Sequence, residues 1–440
     1  MAKTLRAKGR KDLVGAIVGS LERSRPKTGE LMWEVSRSSK EILSKVHYKL
    51  TTGIDSLDVA LGGGLPFGRV VELYGLESCG KTAMVTHCAG RLQGRHIIQR
   101  KQVGHPGDKD FSVAWEPVPK DVEVTTLYID NEQSLEEDEK LVVDGNIIDV
   151  AVARADTVDQ MFKMIDVAIN AIDRVSTKEH PVFILVIVDT IGGTSSREEM
   201  KAKWEDQDFP RQPKMLRRGF RRMMRKLSQR NVLAIFTNQV NARYEANRRR
   251  GGGALPQDDD FDSPGGRALK FFASVRIFMY QVNAHYKLHK DQQFPVGFCS
   301  GFVTVKNRLA KPMRAGRFVL LYDRGLNNLY SLLETLIFLK LAKSGKKEEG
   351  DAGSVSFRFQ HFGIKPTTFG EDETRADPRL DSRAQWPAFH EAHKADLDLL
   401  WEKACTILFA VEGEVGLVDA VEGGTDEDLT PIEDEDEKSP

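Results

Sequence analysis

A chain of 440 residues, 40% hydrophobic and 29% charged, has the make-up of an ordinary globular protein with length for two or three domains. It has no apolar run of membrane-spanning length and no h-region at its N-terminus, so a cytoplasmic protein is expected; its four cysteines form no C-x-x-C pair, which excludes a zinc-ribbon relative and gives no indication of a zinc site or a disulfide framework. The formal net charge of −1 hides an uneven distribution: residues 216–230 and Arg248-Arg249-Arg250 are basic and everything beyond Val411 is acidic, the pattern of a polyanion-binding surface with a solvated acidic tail.

Residues 11–23 place Leu13, Ile17 and Leu21 at four-residue steps beside Val14 and Val18, which predicts a helix with one apolar face. A lone helix cannot bury that face, so it packs on its own core or on a second copy. The core begins near Leu50. Residues 69–74 predict a short apolar strand. It runs into Gly75-Leu76-Glu77-Ser78-Cys79-Gly80-Lys81-Thr82, which fits G-x-x-x-x-G-K-[ST], and a helix-tolerant stretch follows. Strand, glycine loop and helix together aim successive backbone N–H groups at one anion. Lys81 reaches the β- and γ-phosphates, and the Thr82 hydroxyl binds Mg²⁺. This is a nucleoside-triphosphate site. Cys79 sits within it, as a small residue in a serine-like position or as a reactive thiol near a helix N-terminus.

Residues 94–123 read as a long polar loop. Strands are expected over 125–130, 182–189, 232–238, 273–280, 301–306 and 317–322, with helices over 158–175 and 214–229. Strands alternating with helices predict an α/β fold: a mostly parallel central sheet covered on both faces. The first of these strands ends in Asp130-Asn131-Glu132, and Glu132 is the best candidate for the base that polarises an attacking water. The second ends in Asp189, placed to hold Mg²⁺ directly or through water. The third ends in Thr237-Asn238-Gln239, amides suited to bonding a γ-phosphate and moving the loop beyond. Residues 201–213 and 243–266 are long polar loops, and residues 411–440 read as a disordered acidic tail.

Taken in order, these residues resemble the bacterial RecA recombinase family and its phage-encoded relatives. The strongest points are 52–62, the phosphate loop, Ile129-Asp130-Asn131-Glu132, Phe236-Thr237-Asn238-Gln239 and 265–276. The resemblance covers about 50–354. It implies a RecA-type ATPase core over 50–330, a short oligomerisation segment over 1–49, a small α+β domain over 331–410, and an autoinhibitory role for the tail. It implies that Glu132 activates water, Gln239 senses the γ-phosphate, and Lys270 and Phe271 relay that state between subunits. Lys306 and Arg308 reach the neighbouring subunit's ATP, Arg308 standing where the family has a lysine. Loops 201–213 and 243–266 become DNA-binding loops. Their candidate contacts are Trp204, Arg211, Arg243, Arg248, Arg249, Arg250, Gly265 and Gly266. Trp204 and Phe209 either stack on bases or pack in the core.

The implied cofactors are ATP and Mg²⁺. The implied partners are single- and double-stranded DNA and further copies of the chain in a helical filament, with mediator and single-strand-binding proteins as additional candidates. No membrane is involved, and the setting is bacterial cytoplasm or that of a phage host. Arg217, Arg218, Arg221, Arg222 and Arg225 share one helix side, opposite Phe220, Met223, Met224 and Leu227; that side is a solvated face or a direct DNA contact. Two departures stand out: the 94–123 insertion, and the absence from 133–139 of the tyrosine that stacks on adenine in the family. The resulting expectation is a divergent ATP-dependent recombinase. The competing readings are a hexameric RecA-fold helicase and a nucleotide-gated DNA-binding filament without strand exchange.

Overall fold

The computed structural model describes residues 46–103, 112–133, 142–143, 146–147, 149–177, 180–195, 212–242, 261–262, 267–287, 294–322, 324–339, 341–346, 355–359, 379–380, 386–392, 394–395, 397–398 and 400–401. Its elements run β1 (Tyr48–Leu50), α1 (Asp55–Leu61), β2 (Leu65–Pro66), β3 (Val70–Gly75), α2 (Lys81–Gln93), β4 (Ile97–Val103), β5 (Ser112–Pro117) and β6 (Glu123–Asp130). Next come β7 (Val142–Val143), β8 (Asn146–Ile147), β9 (Ala151–Ala153), α3 (Val158–Val175), β10 (Val182–Asp189), α4 (Gln212–Leu227), β11 (Val232–Gln239), β12 (Asn241–Ala242), β13 (Phe261–Asp262) and α5 (Arg267–Phe272). The chain continues through β14 (Val275–Tyr286), β15 (Gly297–Asn307), β16 (Ala315–Leu321), β17 (Gly325–Asn327), α6 (Asn328–Phe338), β18 (Ala342–Lys346), β19 (Val355–Phe359), β20 (Arg379–Leu380) and α7 (Trp386–Ala392).

The central sheet has the order β17-β16-β15-β14-β3-β11-β10-β6-β9. From β14 to β9 every pairing is parallel, and the β14-to-β17 edge is antiparallel. Alternation along each strand divides the residues between two cores. Val71, Leu73, Leu185, Ile187, Leu233 and Ile235 face α1 and α2. Val70, Val186, Val188, Val232, Ala234 and Phe236 face α3, α4 and α5. Helix α3 buries Val158, Met161, Ile165 and Ile169, and α4 buries Leu216, Phe220, Met223 and Leu227. Both sets recur at three- and four-residue steps. The arginines predicted for the opposite side of α4, Arg217, Arg218, Arg221, Arg222 and Arg225, are exposed.

One expectation is corrected. Within 94–123, described residues form an antiparallel pair, β4 with β5, that extends β1 and β2 into a four-stranded sheet. The stretch looked like a loop because its Gly, Pro and charged residues obscure two short strands. These strands gain stability from pairing with β1 and from Lys49, whose ammonium lies 4.1 Å from the centre of the Trp115 ring. Helix α6, Asn328–Phe338, runs across position 330/331. There Tyr330, Leu333 and Leu336 pack with Val319 and Leu321 of β16 and with Trp386, Leu397 and Leu400, so one apolar cluster spans both sides. The N-terminal helix, most of both predicted DNA loops and the acidic tail lie outside the described residues. Among the described residues no helix is long and apolar enough to cross a membrane.

Candidate active site

Parallel strands present their carboxyl ends on one side of a sheet, and loops leaving those ends share a crevice. Gly75 closes β3 level with Gln239 of β11 and Met279 of β14. A Cβ at Gly75 would lie 2.1 Å from the Met279 carbonyl oxygen, so the close approach of these strands demands glycine. The chain then turns through left-handed conformations at Ser78 (φ 56°) and Gly80 (φ 85°) into α2. Lys81 is buried, and its Nζ donates to the carbonyl oxygens of Gly75 (3.1 Å) and Leu76 (2.7 Å). Ser300 of β15 donates to the Cys79 carbonyl at 3.0 Å and steadies the loop from the side. The Cys79 thiol is fully buried, and burial pushes it up despite the Lys81 charge. Of its two readings, the small space-filling residue is the one the surroundings support.

Asp189, 1% exposed, ends β10 level with Asp130 of β6. Its main-chain carbonyl accepts from the N–H groups of Asn131 (2.7 Å) and Glu132 (3.2 Å), which fixes the turn after β6 against β10. The Glu132 carboxylate accepts from Gln239 Nε2 at 2.6 Å, so the predicted base and the predicted sensor are bonded to each other. Desolvation first, then Asp189 and Asp130, raises the Glu132 carboxyl above its ordinary 4.5, against the opposing pull of Lys81 and Gln239. A raised carboxylate is the stronger proton acceptor.

Sequence reading missed several residues of this region. Tyr128 donates to Asp189 Oδ2 at 2.8 Å, and Thr237 donates to Asp189 Oδ1. Two-residue alternation puts both on the Asp189 face of the sheet, a signal available but unused. On the opposite face Glu72 pairs with Arg276 and accepts from Asn238 Nδ2 at 3.3 Å, and the Arg276 guanidinium lies 4.4 Å from the centre of the Tyr74 ring. Beside Gly80, Phe298 and the exposed Tyr322 bring their ring centres to 6.2 Å, an aromatic surface next to the phosphate loop.

Lys306 and Arg308 are not with this group. Lys306 Nζ donates to the carbonyls of Lys270 (2.7 Å) and Phe271 (3.1 Å), and Arg308 to that of Phe271 (3.4 Å), so the two cations cap α5. Lys306 is level with Arg276 whereas Gly75 is level with Met279, about 10 Å further along the strands. Phe271 is 66% exposed. Of the DNA-contact candidates, Trp204, Arg211, Arg243, Arg248, Arg249, Arg250, Gly265 and Gly266 lie outside the described residues, as does Phe209.

Magnesium takes oxygen ligands and keeps several waters, so its protein sites supply one or two groups beside substrate phosphates. The Thr82 hydroxyl at the start of α2 and the buried Asp189 carboxylate are such a donor set. The residues fit the ion.

The model of the RecA N-terminal domain matches residues 30–109 and 116–327. Protein RecA of Colwellia psychrerythraea is 30% identical over 294 residues, 65% of this chain and 69% of that protein. Protein RecA of Rhodococcus opacus is 30% identical over 314 residues, covering 69% and 74%. Protein RecA of Pseudomonas fluorescens is 26% identical over 369 residues, covering 80% and 89%.

Proposed function

The chain belongs to the RecA family, and from that premise we propose that it is an ATP-dependent DNA recombinase that assembles as a helical filament on single-stranded DNA and pairs it with homologous duplex. The observation that carries this reading is a separation. Lys81, Asp189, Glu132 and Gln239 share one end of the parallel strands, while Lys306 and Arg308 sit with Phe271 toward the other. One chain thus has a phosphate loop, a base and a sensor, together with two cations that its own loop does not use. In the filament a neighbouring copy's nucleotide lies against those cations.

In this reading the phosphate loop and Lys81 cradle the triphosphate, and Phe298 and Tyr322 offer the adenine an apolar face. Bound Mg²⁺ neutralises phosphate charge. Glu132 takes the proton of the attacking water, and Gln239, bonded to Glu132, links that carboxylate to β11 and the segment beyond it. Lys306 and Arg308 meet the γ-phosphate of the adjacent copy, and their contact with the α5 carbonyls passes its presence to Phe271. Loops 201–213 and 243–266, with the exposed α4 arginines, hold the DNA backbone without regard to sequence. Residues 331–410 form a small domain anchored on the sheet through α6, and the protein works in the cytoplasm with ATP and Mg²⁺. Electron microscopy with single-stranded DNA and a non-hydrolysable ATP analogue tests the assembly: helical filaments are expected, and closed rings would favour a hexameric motor. A D-loop assay then separates strand exchange from DNA binding alone.

A further inference from the structure

The Asp189 carboxylate, 1% exposed, receives hydroxyl groups from the strands on either side of it. Tyr128 of β6 donates to Oδ2 at 2.8 Å, and Thr237 of β11 donates to Oδ1. Both donors are fully buried. The Tyr128 ring belongs to the same apolar cluster as Met84, Val85 and Cys88 of α2, the helix that begins with Lys81 and Thr82. A continuous chain therefore runs Tyr128, Asp189, Thr237, from β6 to the strand that carries Gln239. Two donors on two different oxygens fix the carboxylate's rotation, whereas one would leave it free to turn. Each oxygen keeps an acceptor position for a further partner, because an ionised carboxylate has about four.

We infer that Tyr128 and Thr237 are positioning residues that hold Asp189 at a set distance and angle from Thr82, so that the two together receive the magnesium–nucleotide complex. The inference rests on the nucleotide reading above and goes beyond it. Tyr128 sets the spacing, because it bonds the carboxylate and its ring packs in one cluster with Met84, Val85 and Cys88 of the Thr82 helix. Thr237 sets the rotation, and since it lies two residues before Gln239 it joins the metal acid to the sensor strand.

A bystander role, in which the two hydroxyls merely satisfy a buried acid, predicts a loss of thermal stability and no change in metal dependence. The test is a Mg²⁺ titration of the binding of a fluorescent ATP analogue to the full chain. Tyr128→Phe and Thr237→Val remove only the hydroxyl and keep the shape; Thr237→Ser restores it, and Asp189→Asn gives the scale. Partners that orient a metal ligand contribute about 10- to 100-fold in metal affinity. The half-saturating Mg²⁺ concentration should rise about 10-fold or more in Tyr128→Phe and in Thr237→Val, while Thr237→Ser stays close to the parent. A shift in Asp189→Asn with none in the two hydroxyl variants overturns the clamp and leaves the nucleotide reading standing. No shift in any of the three removes Asp189 from the metal site and takes both down. Thermal melting of each variant separates a metal effect from a folding defect, and because Tyr128→Phe and Thr237→Val act on different strands, failure of one to fold leaves the other to decide.

Discussion

Replacing Arg276 with methionine isolates the buried charge pair on the far face of the sheet. Arg276 is 1% exposed and Glu72 is fully buried, so neither charge has water to turn to. The substitution leaves Glu72 with the Asn238 amide and removes the guanidinium that lies 4.4 Å from the centre of the Tyr74 ring. An uncompensated buried carboxylate costs about 3–5 kcal/mol, and the lost cation–π contact adds roughly 1 kcal/mol. Against a whole-domain stability of about 5–15 kcal/mol, that is a large part of the margin. Replacing both residues with methionine removes the orphaned charge together with its partner, and apolar replacement of a whole buried pair is often close to neutral. The double variant should therefore be more stable than Arg276→Met alone, with a coupling of about 2 kcal/mol or more. Urea unfolding of the parent, Arg276→Met, Glu72→Met and the double variant, followed by circular dichroism and extrapolated linearly, measures each value. A cost below about 1 kcal/mol for Arg276→Met, or simple additivity in the double variant, would refute the argument that this pair is held in a low-dielectric interior.

Glu132→Gln should lower ATP turnover by about 10²–10⁴-fold while filaments still form on DNA; turnover close to the parent in a coupled ATPase assay would place the base elsewhere. Because the Glu132 carboxyl is raised and the base must be ionised to act, turnover should fall as pH drops through a value above the ordinary 4.5, and an acid limb at or below 4.5 would show the carboxylate to be unperturbed. Gly75→Ala forces a methyl against the Met279 carbonyl 2.1 Å away and should abolish binding of a fluorescent nucleotide; retained binding would mean that β3 and β14 move apart at little cost. Cys79, Cys88 and Cys299 are buried, and burial raises the Cys79 thiol and takes Cys88 to about 12, so iodoacetamide in native buffer should leave all three unmodified by mass spectrometry. Alkylated Cys79 would restore the reactive-thiol reading.

What the sequence determined by itself is the local chemistry. The phosphate loop was legible because anion binding needs glycine, lysine and threonine at fixed spacing along one stretch of chain. The strands ending at Asp189 and Gln239, and the helix over 158–175, were legible because the unbroken apolar runs 182–188 and 232–236 or a three-and-four repeat leave few alternatives. The 94–123 stretch was not, since short strands with mixed polarity carry no period of their own and take their form from pairing with β1. Only the tertiary structure decided what crosses between strands. Glu132 and Gln239 are 107 residues apart, Tyr128 and Asp189 are 61 apart, and Glu72 and Arg276 are 204 apart. Whether such residues meet depends on strand order and register, which are settled by the packing of two apolar faces against helices rather than by any property of the residues themselves. The same order carries Lys306 and Arg308 away from their own phosphate loop, a fact that no spacing in the chain could express.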